Sequence, residues 1–239
     1  MTILEDGAEL RRTVATACRV LERRGLVEGI LGHVSARVSE NELVIRCRGG
    51  ARERGLRFSE ASDVWRLTLD GEPIDVPESH DPPNELPIHT ETLRRRPDFG
   101  AVVHAHPPAA LLAGLAGLRP RPVFGAYNMP AMRLAFESVP VYERPVLITR
   151  AELAAEMLAA MGDSDVVVLR GHGITVGART VEQATVLAVN LNVLLDVTVE
   201  LRRLGAEPPD VAPQDLAELP DLGSAFNDQL VWQALVAEL

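Results

Sequence analysis

The chain has 239 residues, enough for one large domain, and its apolar fraction of 46% supplies a core that must be aliphatic, because aromatic residues make up only 4%. A formal net charge of −10 is the wrong sign for a sequence-independent nucleic-acid binder. Every one of the 24 basic residues is arginine, which excludes a lysine Schiff base, lysine-anchored pyridoxal phosphate and a Walker A phosphate loop.

The start, Met1 to Asp6, lacks a basic stretch followed by an apolar run, and no segment reads as a membrane span, so the expectation is a cytoplasmic chain with no membrane partner. Leu10, Val14, Ala17, Cys18 and Leu21 recur at helical spacing from Ala8 to about Arg24, and Gly25 stops that helix. Cys18, and Cys47 further on, lie far apart without a motif partner and read as buried small hydrophobes. Gly29 to Val38 reads as a glycine-lined turn entering a strand, with His33 either a substrate contact or a strand-end histidine.

A strand over Leu43 to Cys47 leads into a glycine-rich loop that carries Arg48, Arg52, Arg54 and Arg57 against the single acid Glu53. Such a loop is either solvated surface or a binding element for carboxylates or phosphates. Val64 to Leu69 alternates as a strand and turns at Asp70-Gly71, and Pro77 to Asn84 is a proline-rich connection. Asn84 reads as the N-cap of a helix through Ile88, His89 and Leu93 to Arg96, which puts Glu85 in a first turn where the dipole favours a carboxylate.

Ala101 to Ala105 is a short apolar strand that ends in His104-Ala105-His106. Strand positions i and i+2 share a face, so these imidazoles form either half a metal site or a hydrogen-bonded pair. Pro107 at the first helical position opens a small-residue helix. Arg119 to Tyr142 is rich in Pro and Gly and reads as loops and short strands, with Tyr127 either packing or a site residue. Thr149-x-x-Glu152 is a capping box for a helix to about Met161.

Val166 to Leu169 is a continuous apolar run typical of a buried strand, and Ile174 to Val176 resumes as a strand after Arg170-Gly171-His172-Gly173. The glycines there leave room beside the imidazole. Thr180-x-x-Gln183 opens a helix to about Leu204, whose wide apolar face predicts burial against a neighbouring subunit as well as its own sheet. Residues 206–239 read as an acidic, proline-bearing linker and a last amphipathic helix, set off from a main domain over 1–205. Three histidine nitrogens plus an open position is the arrangement of a catalytic metal site, and Glu85 is then the candidate acid/base.

These residues resemble the class II aldolase/adducin family over roughly Leu10 to Leu204. The resemblance rests on Gly32-x-x-Ser35-x-Arg37, Glu85 with His89, Arg96-Pro97-Asp98 ahead of Ala101 to His106, and Gly171-His172-Gly173 before the last long helix. It implies the α/β class, with a single α/β/α domain around a mixed, mostly antiparallel central sheet. It also implies a divalent metal (Zn, Mn, Fe or Co) on His104, His106 and His172, Glu85 as acid/base, and a homotetramer with active sites at subunit interfaces.

Family aldolases acting on sugar phosphates usually carry Gly-Asn-x-Ser, Ser-Ser-Glu and Thr-x-Ser-Gly. This chain has Gly32-His33-Val34-Ser35, Pro83-Asn84-Glu85 and the arginine loop in their places. Gly-His-Val-Ser looks like the branch that decarboxylates hydroxylated aromatic dicarboxylates such as dihydroxyphthalate. The resemblance therefore implies a lyase of aromatic compound catabolism acting on a small carboxylate, with His33, Ser35, Asn84, Arg48, Arg54 and Tyr127 as candidate substrate contacts. Two alternatives are a retro-aldolase on a small non-phosphorylated hydroxy-carbonyl compound and a non-catalytic adducin-like interaction module.

Overall fold

Period-two alternation along the central strands sets the architecture. A computed structural model describes residues 3–136 and 138–239, with the side chains of residues 3–6 and of Arg52 outside the description. In β4 (Ala101–Ala105), Ala101, Val103 and Ala105 join one apolar cluster, while Val102 joins another and His104 shares its side of the strand. β1 (His33–Arg37) divides the same way, with Val34 and Ala36 on the first side and His33, Ser35 and Arg37 on the second.

Helices cover both faces. α1 (Ile3–Arg23), α3 (Pro108–Ala116) and α6 (Val181–Leu204) pack on the first, with the short α4 (Met129–Arg133) against α6, and α2 (Leu86–Arg95) and α5 (Ala151–Met161) on the second. Among the described residues, seven strands form one sheet. Besides β1 and β4 they are β2 (Glu42–Arg46), β3 (Val64–Thr68), β5 (Val141–Tyr142), β6 (Val166–Leu169) and β7 (Gly173–Ala178), in the order β3-β2-β1-β4-β7-β6-β5. Only the β5–β6 pair is parallel. This is the α/β/α arrangement around a mostly antiparallel sheet that the family resemblance implies.

Local details depart from expectation where a tertiary partner outbids a cap. Asn84 is not the N-cap of α2: its side chain turns away to accept from Arg48 Nη2 at 2.9 Å, and Glu85 occupies the cap position without capping. Arg150, not Thr149, precedes α5, and Pro107 sits one residue outside α3, whose first residue is Pro108. Thr180 does cap α6, accepting from the Gln183 amide at 3.2 Å, but the Gln183 side chain reaches across to Asp228 instead of closing the box.

α6 corrects the expectation that no segment has the length of a membrane span: it is long and apolar enough, and half of its apolar window is buried inside the chain against the sheet and α1 and α3. The stretch from Gly205 to Leu222, predicted as linker, contains a short helix, α7 (Pro213–Leu216), and is tied back by the Arg121–Asp210 ion pair at 2.7 Å. The terminal helix α8 (Val231–Ala237) packs on α6 and α1.

At Gly177 in β7 the Phe99 ring occupies the space a side chain would need, its nearest atom 2.2 Å from an added Cβ. Gly177→Ala should therefore destabilise the fold by about 1–3 kcal/mol through overpacking, read as a lower urea midpoint. An unchanged midpoint would show that Phe99 can move aside.

Candidate active site

Four elements converge at one end of the sheet. β4 delivers His104 and, one residue past its end, His106. The β6–β7 turn delivers His172, and the start of α2 delivers Glu85. The rings of His104, His106 and His172 stand 4.8–4.9 Å apart, and the Nε2 atoms of His104 and His106 face each other at 2.8 Å. Glu85 Oε1 is anchored by the Ile148 amide at 2.8 Å, leaving Oε2 3.5 Å from His104 Nε2 and 3.3 Å from His172 Nε2.

The glycines of the His172 turn allow the sharp turn expected of them and also a close approach of strands. A Cβ on Gly173 would lie 2.2 Å from the Ala105 carbonyl oxygen and 3.0 Å from the His106 ring, so Gly173 lets β4 and β7 close up and brings the histidines together. Gly171 takes the left-handed turn at φ 67°.

Register fixes the neighbours. β1 pairs His33 with His104, and β7 pairs Thr175 with His104 from the other side. His33 stacks on the His104 ring at 4.9 Å, and Thr175 Oγ1 lies 3.4 Å from His104 Nδ1. On the facing helix, His89 sits with Nε2 2.6 Å from His33 Nδ1 and Nδ1 2.6 Å from Ser35 Oγ.

Beside the cluster opens a cleft of about 140 Å³, lined by His33, Arg46, Arg48, Asn84, Glu85 and His106 with the exposed apolar side chains of Ile30, Leu31 and Leu147 at its rim. Of the predicted substrate contacts, His33, Asn84 and Arg48 reach this cleft. Ser35 does not: it is wholly buried behind His33, because β1 turns it toward α2 and His89. Arg54 is drawn away by Glu60 at 3.4 Å and by Phe58, and Tyr127 is 77% exposed beside Phe124 outside the cleft.

Arg46, which sequence reasoning passed over as a strand residue, is buried at the cleft and held by Glu53. Among the described residues no carboxylate pairs with Arg48, whose Nη2 donates to the Pro82 carbonyl at 3.2 Å and to Asn84. His89 was visible only as part of a motif. Its signal was a histidine one helical turn after Glu85, opposite a strand that sends His33 and Ser35 to the same face.

Electrostatics suit a cation. Burial, with the neighbouring imidazoles, pushes His106 and His89 down to about 3 and lowers His33. Burial also lowers His104, against the opposing pull of Glu85. Rings that stay neutral keep lone pairs free for coordination. Burial alone would raise Glu85, but the facing His104 and His172 hold its carboxyl well below the usual range.

Among the described residues neither buried ring nitrogen of His172 makes a hydrogen bond, with Glu85 Oε2 3.3 Å from Nε2 as the nearest charge, a state that a coordinated ion would relieve. The ligand atoms of Glu85, His104, His106 and His172 all lie within 4.8 Å of one another, so this donor set can hold a metal ion.

The fold and this cluster together define a class. Residues 12–199 match the class II aldolase and adducin N-terminal domain family, and the chain belongs to that family. It is 51% identical over 235 residues to a 3,4-dihydroxyphthalate decarboxylase of Arthrobacter keyseri, covering 97% of this chain and 94% of that one. It is 47% identical over 232 residues to a 3,4-dihydroxyphthalate decarboxylase of Terrabacter sp. (strain DBF63), covering 96% of each. The crystal structure of an aldolase II superfamily protein from Pseudomonas syringae superposes with a TM-score of 0.79 at 21% identity over 97% of this chain and 92% of that one, a likeness of fold.

The purified protein is expected to carry about one divalent ion per chain by elemental analysis, and His106→Ala to lose it. Metal content unchanged in the variant, or none in the wild type, would refute the cluster as a metal site.

Proposed function

We propose that this chain is a divalent-metal-dependent carbon–carbon lyase that removes a carboxylate from a hydroxylated aromatic dicarboxylate of the 3,4-dihydroxyphthalate type. The observation that carries this reading is near-full-length identity of 51% and 47% with the two 3,4-dihydroxyphthalate decarboxylases. The cleft supports it. Ile30, Leu31 and Leu147 offer apolar area for a ring, while Arg48 and His33 offer polar contacts for its carboxylates.

His104, His106 and His172 would hold the ion, which supplies a Lewis acid for the substrate's carboxylate and adjacent phenolic oxygen. The ion is a first-row divalent metal, Zn, Mn, Fe or Co, selected by availability as well as by the ligand set. Arg48, which lines the cleft with only neutral oxygens as partners among the described residues, binds the carboxylate that remains; Arg46 is neutralised by Glu53, Arg54 is paired with Glu60, Arg57 is turned to Phe58, and the Arg52 side chain lies outside the described residues. Asn84 holds the Arg48 guanidinium in place. As the ring–carboxylate bond breaks, CO2 departs and its electron pair remains with the ring. Glu85, tethered by the Ile148 amide and ionised at rest, takes up a proton from the adjacent phenol or from water and delivers it to the vacated carbon.

The working unit is a homotetramer with active sites at subunit interfaces, in which residues 1–205 form the catalytic body and 206–239 pack on it. Arg54 and Tyr127, both outside the cleft, then belong to surfaces offered to a neighbouring subunit. The burial of half of the α6 apolar window supports a cytoplasmic protein without a membrane partner.

Incubation with 3,4-dihydroxyphthalate should release CO2 and no aldehyde. Arg48→Ala should raise KM about 10–100-fold through loss of a charge-assisted hydrogen bond, and Glu85→Gln should lower kcat about 10²–10⁴-fold. Aldehyde release from hydroxy-aldehyde adducts without any CO2 from dihydroxyphthalate would select the retro-aldolase instead.

A further inference from the structure

Ser35, His89 and His33 form a hydrogen-bonded series that runs from the core to the cleft. Ser35 is wholly buried, and among the described residues its hydroxyl has no partner except His89 Nδ1. A buried hydroxyl proton without an acceptor bears the full penalty of desolvation, so the Ser35 proton must point at His89 Nδ1. His89 then accepts at Nδ1, and as a neutral ring it carries its one proton on Nε2. That proton is donated to His33 Nδ1, which leaves the single proton of a neutral His33 on Nε2. The reverse polarity would strand the Ser35 proton in the core.

His33 lines the cleft, and among the described residues nothing hydrogen-bonds its Nε2. A flip of the ring would break the contact with His89. We propose that Ser35 and His89 are positioning residues that preset His33 as an Nε2–H donor aimed at a carboxylate oxygen of the substrate.

The cleft then presents donors from two sides, the His33 N–H and the Arg48 guanidinium, to a group that only accepts. An amide or a protonated acid in the same place would face one donor with another and bind more weakly. The identity of the acceptor rests on the decarboxylase reading above. The placement of the protons does not.

Neutron diffraction from the deuterated protein reads the protons directly. Deuterium on Nε2 of both His33 and His89, with both Nδ1 atoms bare, is expected. Deuterium on His33 Nδ1 would overturn the inference. With 3,4-dihydroxyphthalate as the probe, Ser35→Ala should raise KM about tenfold with kcat within about twofold, and Ser35→Thr, which keeps the hydroxyl, should recover most of the loss. An unchanged KM in Ser35→Ala would also overturn it. If the wild type turned over no dihydroxyphthalate, the substrate reading alone would fail, and the neutron map would still decide the proton positions.

Discussion

The antiparallel register that sets His33 opposite His104, and His104 opposite Thr175, is the constraint on which the site depends. Three neighbouring strands thereby send one row of polar side chains to the α2 face, while Val34, Val103 and Val176 go to the α1 and α6 face. A slip of one residue in β1 or β4 would drive imidazoles into the aliphatic core and valines into the cleft. Gly32 and Gly173 make the register possible at close range: a Cβ on Gly32 would meet Val27 at 2.6 Å and the His104 carbonyl oxygen at 3.0 Å.

Around that row, charge is distributed with a purpose that composition alone hides. The chain carries a net charge of −10, yet the cleft is lined by donors, because its acids are committed elsewhere. Glu53 is spent on Arg46 and on the amides of Gly49 and Gly55, at 2.9 and 2.6 Å, which folds the arginine loop around one carboxylate. Arg48 is left with neutral oxygens as partners, and a guanidinium in that state attracts an anionic ligand more strongly than a paired one. Glu85 is the exception, a carboxylate inside the donor field, kept ionised by the imidazoles that face it.

Much of this was legible in the chain itself. The His-x-His at a strand end, the histidine between glycines and the acid ahead of a helix are local patterns, and the fold brings all of them to one point. Roles that depend on which of two neighbours wins a contact were not legible. Asn84 has the chemistry of a cap and was claimed by Arg48, while Ser35 lies in the right motif but in the buried middle of β1. Arg54 and Arg48 look alike in the loop, and only the position of Glu60 separates them. Arg46 alternates like any strand residue, so its place in the cleft emerges only with the turn that follows it.

In the proposed reaction the cleft removes the carboxylate beside a ring hydroxyl and returns a proton to the same carbon. Turnover of 3,4-dihydroxyphthalate in deuterium oxide, with the product read by proton nuclear magnetic resonance, tests it most directly. The expected product is 3,4-dihydroxybenzoate with one deuterium at ring carbon 2 and none elsewhere on the ring. Formation of 2,3-dihydroxybenzoate, or recovery of the dicarboxylate unchanged by the metal-loaded protein, would contradict it.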